Sequence, residues 1–259
     1  MKKHILKKFL HQITLPEEIA NTVNKSGLNI LINGKLTVQK IPKGMTPYLT
    51  TEDNKIFKAF SFQYKNQTKI IPEPDPILVY FHAAYLNYIQ IEEKKQEILD
   101  KLSEHKLSEV MINELYGFFS VTSSFVILLF TAIEALTNRC IKKDFIYKKI
   151  NNRRTELYTK TQIEKYFPFD EKIDEVLPDA TGKNFKKHFP MKYSHINNLK
   201  DFRDMIAHTK EADDDSTYDY LYKKALTFLY TDTLDAAKDF CNYYVADDFI
   251  VECPCSQQW

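Results

Sequence analysis

The stretch FRDMIAHTK, residues 202–210, sets a fixed cation close to a proton carrier. Arg203 stands five residues ahead of His208, on what reads as the end of a helix, just before the acidic run Asp213, Asp214, Asp215. A guanidinium presents a fork of donors that suits phosphate oxygens, and an imidazole titrates near neutral pH and moves protons. Ile196, Leu199, Phe202, Met205 and Ile206 form one apolar stripe. Arg203 falls at the edge of that stripe, where its stem is buried and its guanidinium stays reachable. Asp204 and His208 are four apart and therefore neighbours on the polar side. Arg203 and His208 are separated by about 140° of rotation and about 7.5 Å of rise. They converge within one chain only if the helix ends at His208 and frees the imidazole. The alternative is a second copy of the chain bringing its own pair to the same place.

A second chemical feature sits on an apolar helix. YGFFSVTSSFVILLFTAI, residues 116–133, is 18 residues without a charge, the lower length limit for crossing a membrane. It contains Thr122, Ser123, Ser124 and Thr131, has Glu114 and Glu134 at its ends, and runs on as EALTNRCIKK. These features favour the buried centre of a helical bundle; a membrane-associated protein built around this segment is the rival. On a central helix, Glu134 needs a partner, because an unpaired buried carboxylate is costly. Asn138 lies one turn later on the same face. Either a cationic or hydrogen-bonding group meets the pair, or Glu134 marks where the helix emerges into water.

Together the two elements resemble the HEPN superfamily. FRDMIAH is similar to that family's arginine, four to six residues, then histidine, with Asp204 as the polar residue after the arginine. SSFVILLFTAIEALTNRCI is similar to its long apolar helix carrying one glutamate, here Glu134. The resemblance covers residues 77–246. About 60 residues with proline-broken pieces lie between the elements, more than in compact members. The resemblance implies a dimerising α-helical bundle that cleaves RNA without a metal. An RNA strand carries its own nucleophile, the 2′-hydroxyl. Arg203 is then expected to hold the non-bridging oxygens, and His208 to move the proton on the 2′-hydroxyl or the leaving 5′-oxygen. Asp204 is expected to orient His208, and Glu134 with Asn138 to hold Arg203. The products are a 2′,3′-cyclic phosphate and a 5′-hydroxyl. No carboxylate cluster for two-metal catalysis stands out, which agrees with the metal-free mechanism that the resemblance implies; no metal and no cofactor are expected. The resemblance also implies a toxin–antitoxin or phage-defence setting, with an antitoxin or defence-system partner. A HEPN-fold module that binds RNA or protein without catalysis is the alternative.

Local charge supports a polyanion, although the whole chain is only +1. Residues 139–160 carry Arg139, Lys142, Lys143, Lys148, Lys149, Arg153, Arg154 and Lys160 against Asp144 and Glu156, with Tyr147 and Tyr158 interleaved to stack on bases. Lys142, Lys143, Lys148, Lys149, Arg153 and Arg154 are the candidate RNA contacts. Lys183, Lys186, Lys187 and Lys192 add to this, and both stretches adjoin the site in sequence.

Apolar residues make up 44% of the 259, enough for a core, and five glycines argue against an all-β barrel. The fold class expected is mainly α, an antiparallel HEPN-like helical bundle with a small N-terminal β-containing region. Three parts are expected: residues 1–75, with a short helix and a small antiparallel sheet; residues 76–247, the helical domain; and residues 248–259, a tail. The basic, amphipathic MKKHILKKFLHQ reads as the first helix, within residues 1–26, or as a contact for anionic lipid. Asn33-Gly34 signals a two-residue hairpin, and Phe60, Phe62 and Tyr64 alternate on one strand face. IPEPDP ends the sheet. Helices are expected over 77–104, 108–142, 194–208 and 217–246, with a proline-broken region over 160–190. Ser216 and Asp219 form a capping box for the last helix. Cys140, Cys241, Cys253 and Cys255 have no zinc spacing and read as structural or inert thiols, in a reducing cytoplasm.

Overall fold

The computed structural model describes residues 4–7, 29–33, 37–38, 46–50, 56–104, 108–151, 154–209, 216–245 and 249–253. The chain divides into two units, residues 8–78 and residues 1–7 with 79–259. Strand β1 (His4–Lys7) belongs to the second unit. The first unit holds β2 (Asn29–Asn33), β3 (Thr37–Val38), β4 (Thr46–Thr50), β5 (Ile56–Tyr64) and β6 (Gln67–Pro72). They form one sheet in the order β2-β4-β5-β6-β3, antiparallel except for the parallel pair β2 and β4.

This topology corrects the expected hairpin at Asn33-Gly34. β2 and β3 lie at opposite edges of the sheet, one paired with β4 and the other with β6; Gly34 is outside the described residues. A tight turn occurs instead at Lys65-Asn66, whose φ values of 47° and 60° close β5 onto β6. Two successive positive φ values belong to a type I′ turn, whose twist matches the strands it joins. Asn tolerates that region well, which is why the turn forms without glycine. Phe60, Phe62 and Tyr64 do share one face of β5, and it is the exposed face. Ala59 on the other face is buried, as are Thr68 and Ile70 across on β6.

Helix α1 (Pro76–Glu104) starts where the prolines end the sheet. Asp75 accepts the Ile77 N–H at 2.9 Å and Pro76 occupies the first helical position, a favoured start on both counts. Ser108 caps α2 (Glu109–Cys140) by accepting the Met111 N–H at 3.3 Å. Lys101 of α1 meets Glu114 of α2 at 2.9 Å, tying the two long helices near their connection. Phe118, Phe125, Leu129, Ile133 and Leu136 of α2 are almost wholly buried. By length and composition α2 is the one described helix able to cross a membrane, and 44% of its apolar window is buried in this fold.

After α2 the chain makes an unforeseen hairpin, β7 (Ile146–Asn151) with β8 (Arg154–Thr159), and then α3 (Lys160–Tyr166). The proline-broken region is α4 (Phe169–Glu171), a π-helical turn (Lys172–Val176) and α5 (Leu177–Thr181). Pro168 precedes the first residue of α4 with extended backbone, and Pro178 sits in the first turn of α5, where it breaks nothing. Gly182, with φ 70°, ends α5 in the left-handed conformation that glycine adopts most cheaply. Next come α6 (Phe185–His188), α7 (Pro190–Ala207), α8 (Ser216–Thr227), α9 (Tyr230–Tyr244) and β9 (Ile250–Cys253). The described chain is mainly helical, and α7 and α9 pack on each other and on α2.

Two further expectations are corrected. The helix over 217–246 is two helices, because Phe228 and Tyr230 both turn inward. Phe228 packs on Phe202 at 5.1 Å and Tyr230 on Phe125 at 5.3 Å. The Tyr230 hydroxyl donates to the Ala225 carbonyl at 2.7 Å, supplying a partner to a last-turn carbonyl of α8. The Ser216 side chain, and so the capping box, lies outside the described residues. At the N-terminus, His4–Lys7 is a strand antiparallel to β9 and not a helix. So short an apolar run fits either period, and the β-branched Ile250 and Val251 of β9 supply a strand partner.

Candidate functional site

Helix α7 carries both residues of the arginine–histidine pair. Its stripe residues Ile196, Leu199 and Phe202 are buried, and Met205 and Ile206 are half-buried near the end. Its other side is clamped by carboxylates from the proline-broken region. The Tyr193 hydroxyl donates to Asp174 at 2.7 Å, and Lys200 lies 3.2 Å from Asp170. Burial opposes the charge on Lys200, but the Asp170 hydrogen bond and the charges of Asp170, Asp204 and Asp201 outweigh it and raise its pKa. The helix ends at His208, whose N–H bonds the Asp204 carbonyl at 3.0 Å. Thr209 folds its hydroxyl back onto the Met205 and Ile206 carbonyls at 3.1 and 2.9 Å. His208 is therefore the residue at which the helix stops, and its side chain is exposed.

Arg203 is held by a ring. Its guanidinium carbon lies 4.1 Å from the centroid of Phe130 in α2, and Phe130 also packs on Phe169 at 4.7 Å. A cation over an aromatic face is attracted by the ring quadrupole, and a planar guanidinium stacks there well. Nη1 lies 2.8 Å from Asp204 Oδ1, while the buried Nε has no acceptor among the described residues. The side chain is 25% exposed, so its stem is covered and part of the fork remains accessible.

The expected supporting contacts are differently distributed. The Asp204 carboxylate binds Arg203 and approaches Lys200 at 3.5 Å; it makes no described bond to the His208 ring. Asn138 bonds Lys172, and no described bond joins Glu134 or Asn138 to Arg203. Lys172 is 2% exposed and donates to Asn138 Oδ1 at 3.3 Å and to the Glu164 carbonyl at 3.1 Å. Burial lowers its pKa, and the negative charges of Glu134 and Glu164 partly oppose that. The cation that meets Asn138 thus comes from the π-helical turn, while the residue that supports Arg203 is Phe130, one turn ahead of Glu134. Neither Phe130 nor Lys172 was singled out from sequence, although Phe130 shares the helical face of Glu134.

The basic stretches lie away from His208. Helices α2 and α7 run in opposite directions: Arg203 sits at Phe130, while Tyr193 reaches Asp174, beside the Lys172 that bonds Asn138. Lys142 is about 18 Å beyond Phe130 along α2, and His208 about 7.5 Å beyond Arg203 in the other sense. Lys160 donates to the Asn138 and Ile141 carbonyls at 2.9 and 2.7 Å, capping α2. Lys149 pairs with Glu171. Tyr147 is buried with its hydroxyl on Glu175 at 2.7 Å, so it is not available to stack on a base as expected. Tyr158 is half-buried against Phe167. Lys142, Lys143, Lys148 and Arg154 are exposed, without an ion pair among the described residues, and Arg153 is outside them. Burial pushes the pKa of the Cys140 thiol up, and the charges of Arg139, Lys183 and Lys160 partly oppose that.

Comparison of the chain with family models, with curated proteins and with solved structures finds no match.

Proposed function

We propose that this chain is a metal-independent endoribonuclease of HEPN type, acting in the cytoplasm as a homodimer. The observation that carries the reading is a guanidinium stacked on Phe130 five residues ahead of an exposed histidine at which the same helix stops. The 2′-hydroxyl attacks the adjacent phosphorus, the O2′–P bond forms, and the P–O5′ bond breaks. Arg203 neutralises the charge that builds on the non-bridging oxygens. His208 moves the proton, which leaves the 2′-oxygen and ends on the 5′-oxygen. Arg203 is drawn toward α2 while His208 lies past the helix end, so a second copy supplies the complementary group at each phosphate. The toxin–antitoxin or phage-defence setting, with its partner protein, follows from the same resemblance.

The test is RNA cleavage in the presence of a chelator, wild type beside Arg203→Ala and His208→Ala, with product ends identified. The expected result is a 2′,3′-cyclic phosphate and a 5′-hydroxyl, with each variant slowed by about 100-fold or more. Cleavage that survives both substitutions, or no cleavage by the wild type, refutes the proposal. The second reading, a HEPN-like RNA-binding module without catalysis, is favoured by one observation: exposed Lys142 and Lys143 lie at the opposite end of α2 from His208.

A further inference from the structure

The sheet of residues 8–78 has a face that the site on α7 does not use. Phe60, Phe62 and Tyr64 of β5 are 42%, 54% and 52% exposed. Side chains at i, i+2 and i+4 stand on one face at steps of about 6.8 Å. An antiparallel sheet with one solvated face ordinarily places polar residues there, so three adjacent open rings call for a reason. Across the ladder, Tyr64 faces Gln67 and Phe62 faces Lys69, so Lys69 shares the face. At the turn, the Lys65 ammonium lies over the Tyr64 ring at 5.3 Å. The segment from 25 to 71 carries eight lysines against Glu52 and Asp53. Lys58, next along β5 on the same face, meets Glu73 at 2.6 Å.

An aromatic row edged by lysines on a sheet matches two needs of an unpaired nucleic-acid strand. Every base has a π-face that stacks on an aromatic ring whatever its sequence, and the backbone needs cations. A protein partner would use the rings but would have no need of the lysine excess. We propose that this face binds single-stranded RNA, with Phe60, Phe62 and Tyr64 stacking on bases and Lys65 and Lys69 along the phosphates. The proposal rests on the ribonuclease reading for its choice of RNA and names single strands as the form recognised.

The experiment uses the full chain carrying His208→Ala, so that binding is read without cleavage. Fluorescence anisotropy with a labelled RNA of about 15 nucleotides compares that protein with the same protein carrying Phe60→Leu and Phe62→Leu. Leucine keeps apolar bulk and strand structure but has no π-face; circular dichroism confirms the fold. Stacking predicts binding weakened at least tenfold by the pair of substitutions. Lys65→Ala should reduce the slope of log affinity against log salt by about 0.7. Equal binding by the leucine variant, or equal binding of an RNA duplex, overturns the proposal. A change of oligomeric state on Phe62→Leu, seen by analytical ultracentrifugation, also overturns it in favour of a second copy on this face. Cleavage by the wild type is assayed apart: binding without cleavage removes only the nuclease reading, and cleavage with unchanged binding removes only the platform.

Discussion

Lys172 should be replaceable only at a measurable loss of stability. Methionine at this position keeps the length of the side chain and removes the ammonium. The Glu164 carbonyl, 3.1 Å from Nζ, belongs to the last turn of α3 and has no helical partner of its own. Leaving such a group buried and unmade costs about 1–3 kcal/mol. The bond to Asn138 at 3.3 Å is long and lies at the low end of that range. Burial disfavours the charged lysine and lowers its pKa, so removing the charge returns part of this loss. The net expectation is a destabilisation of about 2 kcal/mol for Lys172→Met, rising to about 3–5 for Lys172→Ala, which also leaves a cavity. Urea unfolding reads this as a midpoint lower by about 1 M at unchanged slope. The pH dependence has a definite sign. With its folded pKa below the unfolded value near 10.5, Lys172 binds fewer protons in the native state within that window. Its contribution to stability therefore increases as pH rises through the lowered value. The gap between wild type and Lys172→Met should widen there. A methionine variant at least as stable as wild type, with a gap that does not change with pH, would refute this account of Lys172 and its bonds to Asn138 and the Glu164 carbonyl.

The remaining predictions concern the arginine support and the buried phenols. Phe130→Leu removes the ring face under Arg203, worth about 0.5–2 kcal/mol; RNA cleavage should slow by about tenfold while chain stability falls by less than about 1.5 kcal/mol. A wild-type rate would show that Arg203 needs no platform. Tyr147, Tyr193, Tyr230 and Tyr244 all have phenols pushed above their ordinary range by burial, and Glu175 or Asp174 reinforces this at the first two. Such groups stabilise the fold below about pH 10 and lose that contribution as the unfolded chain ionises above it. Tyr230→Phe should therefore cost about 1 kcal/mol at pH 7 through its lost bond to Ala225. It should also make alkaline unfolding shallower by about 1.4 kcal/mol per pH unit. An unchanged alkaline slope, measured by urea titration at several pH values, would count against it.

The long helices were legible because burial repeats at helical spacing over many turns. In α1, Ala84, Ile91 and Ile98 recur every seven residues and all are buried. In α2 a capping serine at the start, followed by a long apolar run, left little freedom. The failures are short or two-dimensional. Asn33-Gly34 is the strongest local turn signal in the chain, yet strand partners are chosen across the whole sheet. The type I′ geometry went to Lys65-Asn66, which carries no glycine to announce it. The β7–β8 hairpin was hidden because its lysines and arginines read as a charge run. Alternation shows only when Tyr147 is seen buried between exposed Ile146 and Lys148. At the break between α8 and α9 the sequence offers no proline or glycine; the helix stops because Phe228 and Tyr230 each gain a core contact that one straight helix could not give both.

For the candidate site, sequence spacing recovered what lies within one helix and missed what arrives from elsewhere. Arg203 at the stripe edge, its stem covered, and His208 at the helix end follow from 3.6-residue periodicity and capping alone. Of the Glu134–Asn138 pair, it is Asn138 that a cation meets, Lys172 at 3.3 Å, and which cation arrives there depends on phase. The π-helical turn at Lys172–Val176 adds a residue to one turn, and Lys172 faces inward within it. No periodicity read from sequence contains that extra residue. Nearness in sequence misleads in the same way. Residues 139–160 follow the glutamate helix directly, yet two antiparallel helices place the end of one beside the start of the other. The lysines after α2 consequently lie by the beginning of α7, and His208 lies at its far end, some 25 Å away along the bundle. An RNA that touches both must run the length of the α2–α7 pair. Substitutions at His208 and at Lys142 and Lys143 are therefore expected to act independently, the first on the rate of RNA cleavage and the second on RNA affinity.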